Sequence, residues 1–230
     1  MFCRIVQAGN SRSLLIVTVI WAIWFSLTPH VASAQRDPVR LVAFGDSLSA
    51  GYELPPDHAF PVRLEKALKA RGHDVVVANA GVSGDTTSAG LARLDWSIPE
   101  GTDGVILELG ANDALRGVAI DVTRQSLDGI AARLKERGIA VLVAGMLAPP
   151  NMGPDYGREF NALFPDLAER YGFSLYPFFL DGVAANPALN LDDGMHPNTD
   201  GVDVIVERIT PHVEDLIEGI RQTRKQASDS

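Results

Sequence analysis

VRLVAFGDSLSAGY, residues 39–52, begins with six residues of which only Arg40 is polar, then breaks at Gly45-Asp46-Ser47. An apolar run without period-two alternation is the signature of a strand covered on both faces, as in a parallel sheet. Parallel neighbours need long crossovers, so helices must separate the strands. Four further short β-type runs follow: Asp74–Asn79 (DVVVAN), Gly104–Leu109 (GVILEL), Ile139–Gly145 (IAVLVAG) and Phe173–Tyr176 (FSLY). Between them the apolar residues recur at helical spacing. Asp57 is positioned to cap a helix through Arg71, with Phe60, Leu64, Ala67 and Leu68 on one face and Gly72 as its stop. Further helices are expected over Gly84–Leu94, Asp121–Arg137 (Val122, Leu127, Ile130 and Leu134 inward) and Tyr156–Tyr171. A loop from Pro177 to Pro197 precedes a last helix over Asp200–Arg221, and the polar end, about 221–230, is expected to be disordered. The alternation predicts an α/β protein: one three-layer α/β/α domain over residues 35–230 around a five-stranded parallel sheet.

The 230-residue chain carries a formal charge of −9, and no run of Lys and Arg offers a basic face. That balance excludes phosphate-backbone binding, so no nucleic-acid partner is expected. Residues 1–13 hold Arg4 and Arg12 and no acid, Leu14–Leu27 is apolar, and Ala32-Ser33-Ala34 is a small-x-small cleavage pattern. This order reads as a secretory signal peptide over 1–34, followed by export. The apolar run of 14 residues falls short of the roughly 20 that span a bilayer, so no stable membrane anchor is expected after cleavage. Cleavage removes two arginines and no acid, taking the formal charge to −11. The single cysteine, Cys3, leaves with the leader, which excludes disulfides and a thiol nucleophile.

In open α/β sheets the active crevice lies at the carboxyl ends of the strands. Four polar, glycine-bearing clusters fall there: Gly45-Asp46-Ser47, Ser83-Gly84-Asp85-Thr86, Gly110-Ala111-Asn112-Asp113 and Asp192-Asp193-Gly194-Met195-His196. Acyl transfer needs a hydroxyl nucleophile, a base, a group that orients the base, and donors for the oxyanion. Ser47 supplies the hydroxyl, and His196 is the only histidine in such a cluster. Asp193, three residues earlier, can reach its ring on a turn. Ser47 N–H, Gly84 N–H and the Asn112 amide are the available donors.

Each cluster has a plainer reading alone. Gly-Asp-Ser is a common turn, Ser-Gly-Asp-Thr can cap a helix, and Asn-Asp tolerates left-handed turns. The acidic loop with His196 could hold a metal, with Asp200 or Asp203 as further ligands. Their order along one sheet edge favours a catalytic site. Asp46, Leu48, Asp113, Leu115, Leu147, Pro149 and Met195 are the candidates for lining substrate. The stretches Leu115–Ile120 and Met146–Met152, the latter with Leu147, Pro149, Pro150 and Met152, suit an apolar wall and equally suit ordinary loop packing.

The segments Phe44–Tyr52, Asn79–Thr86, Gly110–Asp113 and Asp193-Gly194-Met195-His196-Pro197 resemble the four signature blocks of the SGNH (GDSL) hydrolases, and the likeness runs from about Val39 to Leu216. Gly90-Leu91-Ala92-Arg93-Leu94, Leu115-Arg116-Gly117 and Pro177-Phe178-Phe179 carry it toward the bacterial arylesterase and periplasmic thioesterase/lysophospholipase branch. The resemblance implies a flavodoxin-like fold with strand order 2-1-3-4-5. It also implies a serine esterase with no cofactor, acting on aryl esters and short-to-medium acyl esters or thioesters. Apart from the resemblance, no metal is expected, for want of a third strong ligand at typical spacing, and a monomer is expected. Its location would be the periplasm, or the medium if secreted. Against it stand a carbohydrate or peptidoglycan O-deacetylase on the same residues, and a non-catalytic binding module. A phosphate-binding role is disfavoured by the lack of a Gly-rich loop with a following Lys.

Overall fold

β1 (Val39–Gly45) runs between β2 (Val75–Asn79) and β3 (Gly104–Glu108), paired in parallel with both. β4 (Ala140–Ala144) and β5 (Ser174–Tyr176) extend the sheet beyond β3, giving the order β2-β1-β3-β4-β5, all parallel. This is the expected sheet and order. The computed structural model describes residues 37–230, so the leader expected over 1–34 and its cleavage point lie outside the described residues. Every residue of β3 is buried, as is every residue of β1 except Arg40, which is why these strands read as apolar runs.

Helices cover both faces. α1 (Ser47–Ala50) leaves β1 directly, and α2 (Phe60–Ala70) leads into β2. α3 (Thr87–Ser97), α4 (Ala111–Leu115), α5 (Ile120–Glu136), α6 (Pro154–Tyr171) and α7 (Thr199–Asp229) complete the layers. α2 packs with α7 in one layer, while α3 packs on α5 and α5 on α6 in the other. The shared core includes Phe44, Phe60, Ile106, Phe160, Phe164 and Phe179.

Several boundaries differ from the sequence reading for definite reasons. Asp57 caps nothing: Pro56–His58 is a 3₁₀ turn, and α2 starts after Ala59 with a proline in its first turn, where a missing N–H is harmless. α3 starts three residues later than expected. Gly84 has φ +86°, outside the helical region, and the Thr86 hydroxyl accepts the Ala89 N–H at 3.3 Å as the cap. Val122 is exposed, and Thr123 takes the inward position beside Leu127 and Ile130. α7 continues eight residues past Arg221 to Asp229, so the expected disordered tail is helical. Arg224 explains the extension, since it pairs with Asp103 at 2.5 Å and donates to the Asp37 carbonyl at 3.1 Å. Among the described residues no helix is long and apolar enough to cross a membrane.

Candidate active site

The carboxyl end of β1 turns straight into α1. Asp46 precedes that helix and accepts the Leu48 N–H on Oδ1 at 3.0 Å, which leaves Ser47 at the first helical position. The chain after β2 passes hard against this turn. A Cβ on Gly81 would lie 2.3 Å from Ala50 N, so only glycine permits the approach. Val82 N–H then donates to the Gly45 carbonyl at 3.1 Å. α4 follows β3 after Gly110, whose φ of +125° is likewise glycine geometry, and carries Asn112.

His196 arrives from the loop after β5. That loop is closed by hydrogen bonds: Asn190 bridges Pro197, Leu191 N–H donates to His196 O at 2.7 Å, and the Asn190 amide donates to Val183 O and Asn186 O, both at 2.8 Å. Asp193 Oδ1 accepts the Met195 and His196 N–H groups at 2.8 and 2.9 Å, and Oδ2 meets His196 Nδ1 at 2.5 Å. His196 Nε2 lies 2.9 Å from Ser47 Oγ, across 149 positions of sequence.

The electrostatics fix the direction of these bonds. Partial desolvation raises the Asp193 pKa, but the His196 N–H, the His196 ring and the Met195 N–H outweigh it and hold the carboxyl at about 2. An ionised carboxylate only accepts, so Nδ1 carries the ring proton and Nε2 keeps a lone pair for the Ser47 hydroxyl. The Tyr52 ring packs on the imidazole with centroids 4.3 Å apart.

Ser47 N–H and Gly84 N–H have no acceptor among the described residues. Asn112 uses one amide hydrogen on Asp46 Oδ2 at 3.0 Å, which fixes the amide plane and leaves the other hydrogen free. Arg116 donates to the Gly84 carbonyl at 2.8 Å and so restrains the Gly84–Asp85 peptide, the one that follows the Gly84 N–H. Arg93 is buried between the two loops. It donates to Asp85 at 2.5 Å and to the Gly45 carbonyl at 2.9 Å, with its guanidinium 4.3 Å above the Phe44 ring.

The structure therefore brings Ser47, His196 and Asp193 into one chain of contacts and sets Asn112 beside them through Asp46. Three of the expected substrate-lining residues do something else. Asp46 is wholly buried and serves Leu48 and Asn112. Asp113 is wholly buried and accepts the Thr87 N–H, the Thr87 hydroxyl and the Thr123 hydroxyl at 2.8, 2.6 and 3.1 Å. Leu48 belongs to the hydrophobic core. By contrast Leu115, at the end of α4, and Leu147 and Met195, on loops, are exposed, and Pro149 is half-buried; all lie on segments that follow strand carboxyl ends. The stretches 115–120 and 146–152 adjoin, since a Cβ on Gly117 would meet Met152 Cε at 3.3 Å. Asp203 is engaged by Arg63 through two bonds of 2.8 and 2.6 Å. Among the described residues no group of three His, Cys, Asp or Glu side chains could hold a metal ion.

Sequence reasoning assigned no role to Glu108, Tyr52, Arg93 or Arg116. Glu108 had a signal, since it is the only charged residue in the buried strand GVILE.

Comparison with known proteins agrees with this geometry. The model of the GDSL-like lipase/acylhydrolase family matches residues 43–204. An arylesterase of Vibrio mimicus is 40% identical over 178 residues, covering 77% of this chain and 89% of its own. The thioesterase 1/protease 1/lysophospholipase L1 of Escherichia coli (strain K12) is 35% identical over 192 residues, covering 83% and 89%. The crystal structure of AlinE4, an SGNH-hydrolase family esterase, superposes with a TM-score of 0.67 at 44% identity, over 78% of this chain and 96% of that one. A family model spanning most of the described domain, together with relatives matched over nearly their full length, establishes that the chain belongs to the GDSL-like lipase/acylhydrolase family.

Proposed function

We propose that this ester hydrolase cleaves aryl esters and short-to-medium acyl esters or thioesters through an acyl-enzyme on Ser47. The observation that carries the reading is the continuous path Ser47 Oγ, His196 Nε2, His196 Nδ1, Asp193 Oδ2, at 2.9 and 2.5 Å. His196 Nε2 takes the serine proton as Oγ bonds to the carbonyl carbon. Charge collects on the carbonyl oxygen, where Ser47 N–H, Gly84 N–H and the Asn112 amide receive it. The C–O or C–S bond then breaks, and His196 returns the proton to the leaving alcohol or thiol. Water repeats the sequence to release the acid. Asp193 holds the ring and stabilises its cationic form. The reaction requires no cofactor or metal.

Exposed apolar side chains on the segments that follow the strand ends (Val82, Leu115, Leu147 and Met195) favour an acyl chain over a sugar acetate as the bound group. We read residues 1–34 as a leader removed on export, with the enzyme working in the periplasm as a monomer. The test is hydrolysis of p-nitrophenyl esters from acetyl to palmitoyl by protein beginning at Gln35, beside Ser47→Ala. Activity peaking between butyryl and decanoyl, and abolished in Ser47→Ala, is expected. A sharp preference for acetyl would favour an O-deacetylase, and activity surviving Ser47→Ala would refute the mechanism.

A further inference from the structure

Glu108 ends β3, pairs in register with Gly45 at the end of β1, and is wholly buried. The acyl transfer above makes no use of it, and a carboxyl group in a sheet interior calls for a reason. Its Oε2 accepts the Ser49 hydroxyl at 2.8 Å and the Asp46 N–H at 3.3 Å. Its Oε1 is buried without a partner among the described residues. Both donors thus come from the turn that bears Ser47, one from the residue before it and one from two residues after. Gly45 makes room for this arrangement: a Cβ there would fall 2.4 Å from Glu108 Oε2 and 2.2 Å from Ser49 Oγ. Asp46 relays the contact onward, because its own carboxylate holds the Leu48 N–H and the Asn112 amide.

We infer that Glu108 is a positioning residue that, as a neutral carboxylic acid, holds both the turn presenting Ser47 and the Asp46 carboxylate that aims Asn112. The inference rests on the acyl-enzyme reading of Ser47. Two observations support the neutral state. A bare buried oxygen is far more costly on an anion than on an acid. Burial, and then the neighbouring Asp46 charge, pushes the Glu108 pKa well above the usual carboxylate range. The other charges facing the pair act on Asp46 or its turn: His196 and Asp85 on the Asp46 carboxyl, and Arg93 on the Gly45 carbonyl. No cation bonds Glu108 among the described residues.

The experiment measures kcat and KM on p-nitrophenyl butyrate for Glu108→Gln, Glu108→Leu and Ser49→Ala, with melting curves and Ser47→Ala in parallel. Gln keeps an oxygen that can accept both bonds and carries no charge, so kcat should stay within about threefold of wild type. Leu removes the acceptor, and a misplacement of about 1 Å at the reacting atoms lowers kcat by about 100-fold with KM within threefold. Ser49→Ala removes a single donor and should fall between them, near tenfold, carrying the test should the Leu variant not fold. Unchanged kcat in Leu and Ser49→Ala, or a loss in Gln as deep as in Leu, overturns the inference. If Ser47→Ala stays active, the acyl-enzyme reading itself has failed. If Ser47→Ala is dead and the other variants are unaffected, only the role of Glu108 has failed.

Discussion

Replacing Asp46 by Asn should cost activity while making the fold less sensitive to a rise in pH through about 6. Burial raises the Asp46 pKa, the N–H groups of Leu48 and Asn112 pull it back, and the balance leaves it at about 6 instead of the ordinary 3.8. A raised folded-state value means that the folded protein holds this proton more tightly than the unfolded chain does. The associated stability is therefore full below pH 3.8 and is lost as pH rises through about 6. Two pKa units correspond to about 3 kcal/mol in total, of which about 2 kcal/mol is lost between pH 4 and pH 8. Asn cannot titrate, so its stability relative to wild type should improve by about 2 kcal/mol over that interval, whatever fixed cost the substitution brings. In a domain of this size that is roughly 4–8 °C in the difference between melting temperatures. A fixed cost is certain, because Asn has one acceptor oxygen where Asp46 uses two, for Leu48 N–H and the Asn112 amide. Losing the aim of that amide should lower kcat by about 10²-fold, the typical loss for one oxyanion donor. Melting curves for both proteins at pH 4, 6 and 8, with kcat on one soluble ester, decide the matter. A melting difference that is flat with pH, or one that turns against the variant at pH 8, would refute the argument.

Other substitutions separate the roles of the remaining residues. Asp193→Asn keeps the size of the side chain but can leave His196 in the wrong tautomer, so kcat should fall by about 10⁴-fold in steady-state assays. Asn112→Ala should lower kcat by about 10²–10³-fold with little change in KM. Asp113→Ala strips the buried partner from Thr87 and Thr123, so thermal melts should show a loss of about 3 kcal/mol while KM stays near wild type; a large rise in KM with an unchanged melt would restore it as a substrate contact. Tyr52→Leu removes the ring that packs on His196 and should lower kcat by about tenfold on every ester tested, irrespective of acyl length.

The fold was legible because its strands are buried on both faces and its crossovers are long amphipathic helices, two patterns that survive without tertiary information. The boundaries that moved depend on information those patterns lack. The start of α3 turns on a positive φ at Gly84 and a hydroxyl bond at Thr86, and the end of α7 on Arg224 reaching Asp103 and Asp37, more than a hundred residues away. The polar composition of residues 222–230 gave no hint of those partners.

The misread site residues share one cause. Asp46, Leu48 and Asp113 each lie within one residue of a group with a proposed part in the chemistry, and proximity in sequence suggested proximity to substrate. At the head of a helix, consecutive side chains diverge by about 100°, so a neighbour of an outward-facing residue faces inward. Ser47 faces His196 while Asp46 and Leu48 turn to the interior, and Asn112 is half-exposed while Asp113 is wholly buried. An inward-facing carboxylate is costly, and it is kept where it organises several donors at once. Asp113 ties α3 to α4 and α5 through Thr87 and Thr123, and Asp46 ties the Ser47 turn to Asn112. The site thus holds carboxyl groups with two tasks, one on the His196 ring and the others on the turn that bears Ser47. The exposed Asp193 is held ionised by its N–H donors to serve His196, whereas Asp46 and Glu108, whose pKa values burial raises, hold the turn by the hydrogen bonds they accept. Raising the pH through about 6 leaves Asp193 unchanged and charges Asp46, so the buried carboxyl groups should lower the fold's stability as the solution leaves the acid range.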